Sequence, residues 1–176
     1  MAEQDSTTDT AATPELSAEN MPEATAIVQY VKDLSVESPS SPAVFQWQQQ
    51  PALDVQFGIH GDKVADDVHE VVLKVEAKAT SDQGTHFIVD LSYAGLFGFR
   101  NIPEEQLPPF LLVEAPRLLF PFARQIVAQA TQNLGFPPLL LEPIDFAQAF
   151  VAQMEAQQQV AADQPGGAGD PPVGNA

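Results

Sequence analysis

The chain has 176 residues, with 24 acids against 7 lysines and arginines, a net charge of −17 and no cysteine. The length fits one domain with tails. The acidity excludes a counterion-releasing nucleic-acid binder and disfavours anionic membrane surfaces, and the missing cysteine excludes disulfides, thiolate metal sites and cysteine catalysis.

Residues 1–31 carry six acids and no base, and residues 125–176 carry five acids and no base. No aromatic residue precedes Tyr30 or follows Phe150. Residues 1–24 hold too little apolar surface to offset ordering entropy and are expected to be a disordered acidic tail. The opening MAEQDSTTDTAATPE has neither the basic region nor the apolar core of a signal peptide, and no apolar run approaches the roughly 20 residues of a membrane span, so a cytoplasmic protein is expected.

Period-two alternation predicts four strands. In 27–37, Val28, Tyr30, Leu34 and Val36 share one face, opposite Gln29, Val31, Asp33, Ser35 and Glu37. In 52–60, Leu53, Val55, Phe57 and Ile59 alternate with Asp54, Gln56, Gly58 and His60. In 68–80, Val71, Leu73, Val75 and Ala77 oppose Glu70, Lys74, Glu76 and Lys78. In 85–94, Phe87, Val89, Leu91 and Tyr93 oppose His86, Ile88, Asp90 and Ser92. HGDKVADD and SDQGT are short connections, so the last three strands are antiparallel.

Beyond Phe99 the segment RNIPEEQLPP reads as a loop. A helix is expected to start between Pro116 and Pro121 and to stop at Gly135. FPPLLLEP is extended, because residues before proline avoid helical geometry. A last helix begins near Asp145 as N-cap, with Phe146, Phe150 and Met154 in a stripe. Residues 159–176 read as a flexible Gly/Pro-rich tail, which leaves 25–158 as the folded domain. Strands followed by helices give an α+β class: a four-stranded antiparallel sheet with two main helices packed on one side.

Nothing in the chain spells a catalytic motif. His60, His69 and His86 lack metal-ligand spacing, and there is no GxSxG, GxGxxG or Walker loop. The pair Asp66–Asp67 reads as a solvated turn. The conspicuous feature is apolar surplus in irregular chain. Phe45, Trp47, Phe97, Phe99, Leu107 and Phe150 form a candidate groove for apolar, unfolded clients.

The stretches YVKDLSVESPSSPAVF, VADDVHEVVLKVEAKAT and FIVDLSYAGLFGF, then APRLLFPFARQIVAQATQNLGFPPLLLEPIDFAQAF, resemble the bacterial protein-export chaperone family SecB in the right order. The resemblance implies an enzymatically inactive, ATP-independent chaperone without a cofactor. It implies a homotetramer, a dimer of dimers, that holds precursor proteins unfolded and delivers them to SecA. On the family's pattern, Asp33, Glu37, Ile88 and Asp90 form the docking site for the basic, zinc-binding C-terminal segment of SecA. The zinc belongs to that partner, so no metal is expected here. Val89, Leu91 and Tyr93 fall at positions that influence tetramer stability in the family. The alternative is a SecB-like chaperone of a toxin–antitoxin system, or another acidic adaptor.

Overall fold

The computed structural model describes residues 21–162, so the expected tails lie almost wholly outside the described residues. Four long strands run β1 (Glu23–Glu37), β2 (Ala52–Ala65), β3 (Val68–Ser81) and β4 (Gly84–Arg100). They form one antiparallel sheet in the order β1-β4-β3-β2. A helical turn (Ala43–Gln46) interrupts the β1–β2 connection. After β4 come a 3-10 turn (Glu104–Gln106), α1 (Leu107–Pro109), a π-helical turn (Phe110–Glu114), α2 (Ala115–Asn133) and α3 (Phe146–Ala162). The described elements run from Glu23 to Ala162.

One face of the sheet carries the core. Val71, Leu73, Val75, Val89, Leu91 and Phe97 are fully buried there, in one cluster with Leu119, Ala123 and Val127 of α2. Leu53, Val55, Phe57 and Ile59 continue that face across β2 by register. Gly95 lets the helix come close. A Cβ there would sit 2.9 Å from Leu119 Cδ2 and from Phe97 Cε2, nearer than real Cβ atoms approach.

Several boundaries differ from the expected ones, each for a local reason. β2 continues to Ala65, and the turn is Asp66–Asp67, with Asp67 at φ 58°. Aspartate tolerates that left-handed geometry, so no glycine is needed. β4 runs through GLFGFR to Arg100 because β1 and β3 pair with it along that length. The helical path begins at Leu107, where Pro108 and Pro109 occupy first-turn positions that need no N–H. The π turn sits directly before Pro116, whose missing N–H would leave a carbonyl without its usual donor. Gly135, at φ 89°, ends α2, and Asp145 Oδ1 accepts from Gln148 N at 3.0 Å as the α3 cap.

β1 departs most from simple alternation. It carries irregularities between Ala26 and Val28 and between Val31 and Asp33, so Ile27 and Lys32 are extra residues. Val28 and Tyr30 therefore lie on the outer, helix-free face with Asp33, Ser35 and Glu37. Val31 joins Leu34 and Val36 on the helix side. The single alternation expected over 27–37 is replaced by two phases.

The outer face holds one nearly buried carboxylate. Glu70, whose side chain is 11% exposed, accepts from Tyr30 Oη and from Lys32 Nζ. Lys32 first, then Tyr30, holds the Glu70 carboxyl below the usual range, while burial opposes. The same contact pushes the Tyr30 phenol up to about 12. A depressed carboxyl contributes stability above its unfolded pKa and loses it as pH falls through the folded value. A raised phenol contributes below its unfolded value of 10.0 and loses it as pH climbs toward about 12. Melting temperatures from pH 3 to 12 should accordingly fall at both ends. Glu70→Gln should flatten the acid limb and Tyr30→Phe the alkaline one. Glu70→Ala should cost roughly 2 kcal/mol, the scale of hydrogen bonds to a charged group. Identical limbs in parent and variants would contradict this account.

Candidate functional site

The outer face is a polar lattice set by strand register. Glu37 lies opposite Ile88, which lies opposite Lys78, itself opposite Asp54. The next row is Ser35, Asp90, Glu76 and Gln56, and the one after it Asp33, Ser92, Lys74 and Gly58. Asp33, Glu37, Ile88 and Asp90 thus share three adjacent rows on two neighbouring strands. Asp33 and Glu37 are exposed, and neither makes an ion pair among the described residues.

Lys74 balances part of this charge. Its ammonium lies 2.5 Å from Glu76 Oε1 and 3.5 Å from Asp90 Oδ2. The contact with Glu76, then Asp90, raises its pKa and keeps it charged. The other Asp90 oxygen, Oδ1, is buried and has no hydrogen-bond partner among the described residues. A shallow cavity of about 200 Å³ opens beside it, lined by Asp54, Glu76, Lys78 and Ile88. Five acids and two lysines occupy these three rows, so the surface attracts cations around one apolar spot.

The expected client residues do not form one surface. Phe97 and Phe99 are core: Phe97 is 0% exposed, and Phe110 packs edge-on against both at 5.7 and 5.1 Å. Phe45 and Trp47 sit at the other end of β4, where Trp47 meets His86 edge-on at 5.0 Å. His86 and Phe97 are eleven residues apart, roughly 35 Å at about 3.3 Å per strand residue. Leu107 and Phe150 are half-buried beside the core. Only Phe45, 54% exposed, and the half-buried Trp47 offer surface at that end, with Phe45 5.5 Å from Phe136.

A second apolar surface was not legible in the sequence. Leu53, Val55 and Phe57 on the edge strand β2 face residues 139–144 across a groove of about 410 Å³. Leu140 stands 63% exposed there. The only available sign was the LLL run in FPPLLLEP, which reads equally as core. The groove follows directly in sequence from Phe136, so the aromatic end and the groove are joined by one extended segment.

Val89, Leu91 and Tyr93 are not a free surface of the single chain. They lie on the helix side, at 0, 0 and 8% exposure, with Tyr93 stacked on Phe122 of α2 at 6.2 Å. Alternation placed them on the face opposite the docking residues, but α2 covers that face. Their neighbours α2 and β1 do carry exposed apolar residues, among them Leu118 and Phe122 of α2 and Val31 and Leu34 of β1. Asp66 and His69 form no acid–base dyad among the described residues. Asp66 projects into solvent toward Lys63, and His69 packs edge-on to Phe99 at 5.3 Å.

The Preprotein translocase subunit SecB family matches residues 17–158. The chain belongs to the SecB family. It is 58% identical over 132 residues to the protein-export protein SecB of Sphingopyxis alaskensis, covering 75% of this chain and 77% of that one. It is 54% identical over 149 residues to the SecB of Rhizorhabdus wittichii, covering 85% and 90%. A SecB-like chaperone of Mycobacterium tuberculosis, solved with a ChAD peptide from an antitoxin, superposes with a TM-score of 0.58 at 20% identity. It covers 69% of this chain and 90% of that one, and it supports the fold. SecB is a family of export chaperones, not of enzymes, and Sec-dependent protein export is the role of this chain. Nothing favours the toxin–antitoxin alternative.

Proposed function

We propose that the chain is a cytoplasmic, ATP-independent holdase that keeps precursor proteins unfolded and hands them to SecA. The observation that carries the handover is the outer-face cluster. Two exposed acids, Asp33 and Glu37, share this face with the apolar Ile88, Glu37 directly opposite it and Asp33 two rows away, with the buried Asp90 Oδ1 in the row between. A basic, zinc-binding segment of SecA fits such a surface by charge, with one apolar contact for registration. Among the described residues no helix is long and apolar enough to cross a membrane.

Client binding is assigned to the aromatic end at Phe45 and Trp47 together with the β2 groove. An open edge strand beside exposed leucines suits extended chain, which would pair its backbone with β2 and bury side chains against Leu139 and Leu140. Such contacts are sequence-tolerant, and a holdase that binds only unfolded chain delays folding by mass action. The working form is a homotetramer, about 76 kDa as four chains of 18.9 kDa. Its supports are the exposed apolar residues of β1 and α2, among them Val28, Val31, Leu34 and Phe122.

Suppression of aggregation of a reduced, unfolded protein tests the holdase activity directly. Leu140→Asp and Phe57→Asp should each weaken it by about tenfold, since a charge must enter an apolar groove. Trp47 is the single tryptophan, so its emission should shift on client binding. Unchanged emission at saturating client would confine the client to the β2 groove. Full protection by both groove variants would remove the groove from the site.

A further inference from the structure

The irregularity at Lys32 decides which way the docking acids point. Tyr30 pairs with Ala94 and Asp33 with Ser92, so three residues of β1 span two of β4. Had the phase of Val28 and Tyr30 continued, Lys32, Leu34 and Val36 would face outward. Asp33, Ser35 and Glu37 would then lie under α2. The extra residue inverts this. An extra residue is left out of the ladder, so something must hold it.

One carboxylate meets the irregularity at two residues. Tyr30, just before it, and Lys32, within it, both donate to Glu70. Glu70 sits on β3, two strands from β1, opposite Leu96 on β4. Ala94, between them in the lattice, is fully buried although it belongs to the outer face. We infer that Glu70 is a positioning residue for SecA docking: through Tyr30 and Lys32 it clamps the β1 bulge and so holds Asp33 and Glu37 outward beside Ile88 and Asp90. This rests on the docking reading given under Proposed function.

The test uses the full chain and the zinc-loaded C-terminal peptide of SecA. Glu70→Leu should speed amide exchange in residues 30–35 and weaken the peptide by about tenfold, because two charge contacts lose their aim. Glu70→Gln removes the same charge but still accepts from Tyr30 and Lys32. It should restore affinity to within about threefold of the parent, a rescue that separates clamping from charge. Client holding and native mass should not change in either. If Glu70→Leu does not fold, Tyr30→Phe carries the same measurement, with faster exchange at 30–35 and a smaller loss of affinity. Parent-like exchange in β1, parent-like affinity in Glu70→Leu, or a Gln variant as weak as Leu would each overturn the inference. Failure of the docking reading shows separately. In that case charge reversal at Asp33 and Glu37 leaves the peptide bound, while β1 exchange in the Glu70 variants still reports the clamp.

Discussion

Asp33→Lys combined with Glu37→Lys should weaken binding of the SecA C-terminal segment by about a hundredfold at low salt, with the fold and client holding intact. Both side chains are exposed and make no ion pair among the described residues, so reversal gives up only the exposed hydrogen bond that Ser35 Oγ donates to Glu37 Oε1 at 3.2 Å. Each reversal replaces an attraction by a repulsion toward a basic partner, and exposed interface charges act mainly on association rate. The parent's affinity should itself fall with salt, since screening sets in over about 8–10 Å near physiological ionic strength. The double variant should show a flatter salt response. Titration at two salt concentrations measures both effects. Parent-like affinity at both would place docking elsewhere. Removing residues 1–20 deletes five acids but leaves β1 whole from Glu23. That truncation should leave affinity equal or slightly higher, because it takes away a competitor for the basic segment.

Leu91→Asp should destroy the packed domain, not merely split the assembly. Leu91 is 0% exposed, lies opposite Leu34 on one side and Val75 on the other, and shares the core with Ala123 and Val127. A carboxylate there has no partner, and a buried unpaired charge belongs to the few changes that cost more than about 4 kcal/mol. Domains of this size are stable by only about 5–15 kcal/mol. Leu91→Ala should cost about 2–5 kcal/mol through its cavity, and Leu91→Met under about 1.5 kcal/mol. Urea unfolding with light scattering on the same samples separates the effects. Assembly should fail together with folding, as α2 loses its seat on β4. A folded dimer of Leu91→Asp with the parent's unfolding midpoint would mean that Leu91 meets another chain rather than α2.

Much of the sheet was legible because its cause is local. Alternation assigned the helix-side faces of β2, β3 and β4 residue by residue, as in the half-exposed Phe57 and the buried Val75 and Leu91. The Asp145 cap and the Gly135 stop were readable for the same reason, since each is set by its own backbone geometry. The SecB resemblance added an expected role to Asp33, Glu37, Ile88 and Asp90. Alternation put Asp33 with Glu37, and Ile88 with Asp90, on the polar face of each strand; that the two faces are one came from the register.

What the tertiary structure alone decided is which surfaces are free and which way β1 turns. Phe97 and Phe99 look like Phe45 in sequence, but α1 and the π turn bring Phe110 onto them, while Phe45 meets Phe136 and stays 54% exposed. The β2 groove is made by residues about 85 positions apart, and no local pattern encodes their approach. The irregularity at Lys32 is a contest between two phases of one strand. Leu34 and Val36 are drawn toward α2, and Tyr30 and Lys32 are drawn to Glu70 on another strand. Alternation within β1 by itself carries neither partner, so the sequence determined the strands and their chemistry, and the packing of distant segments determined which residues face the outside.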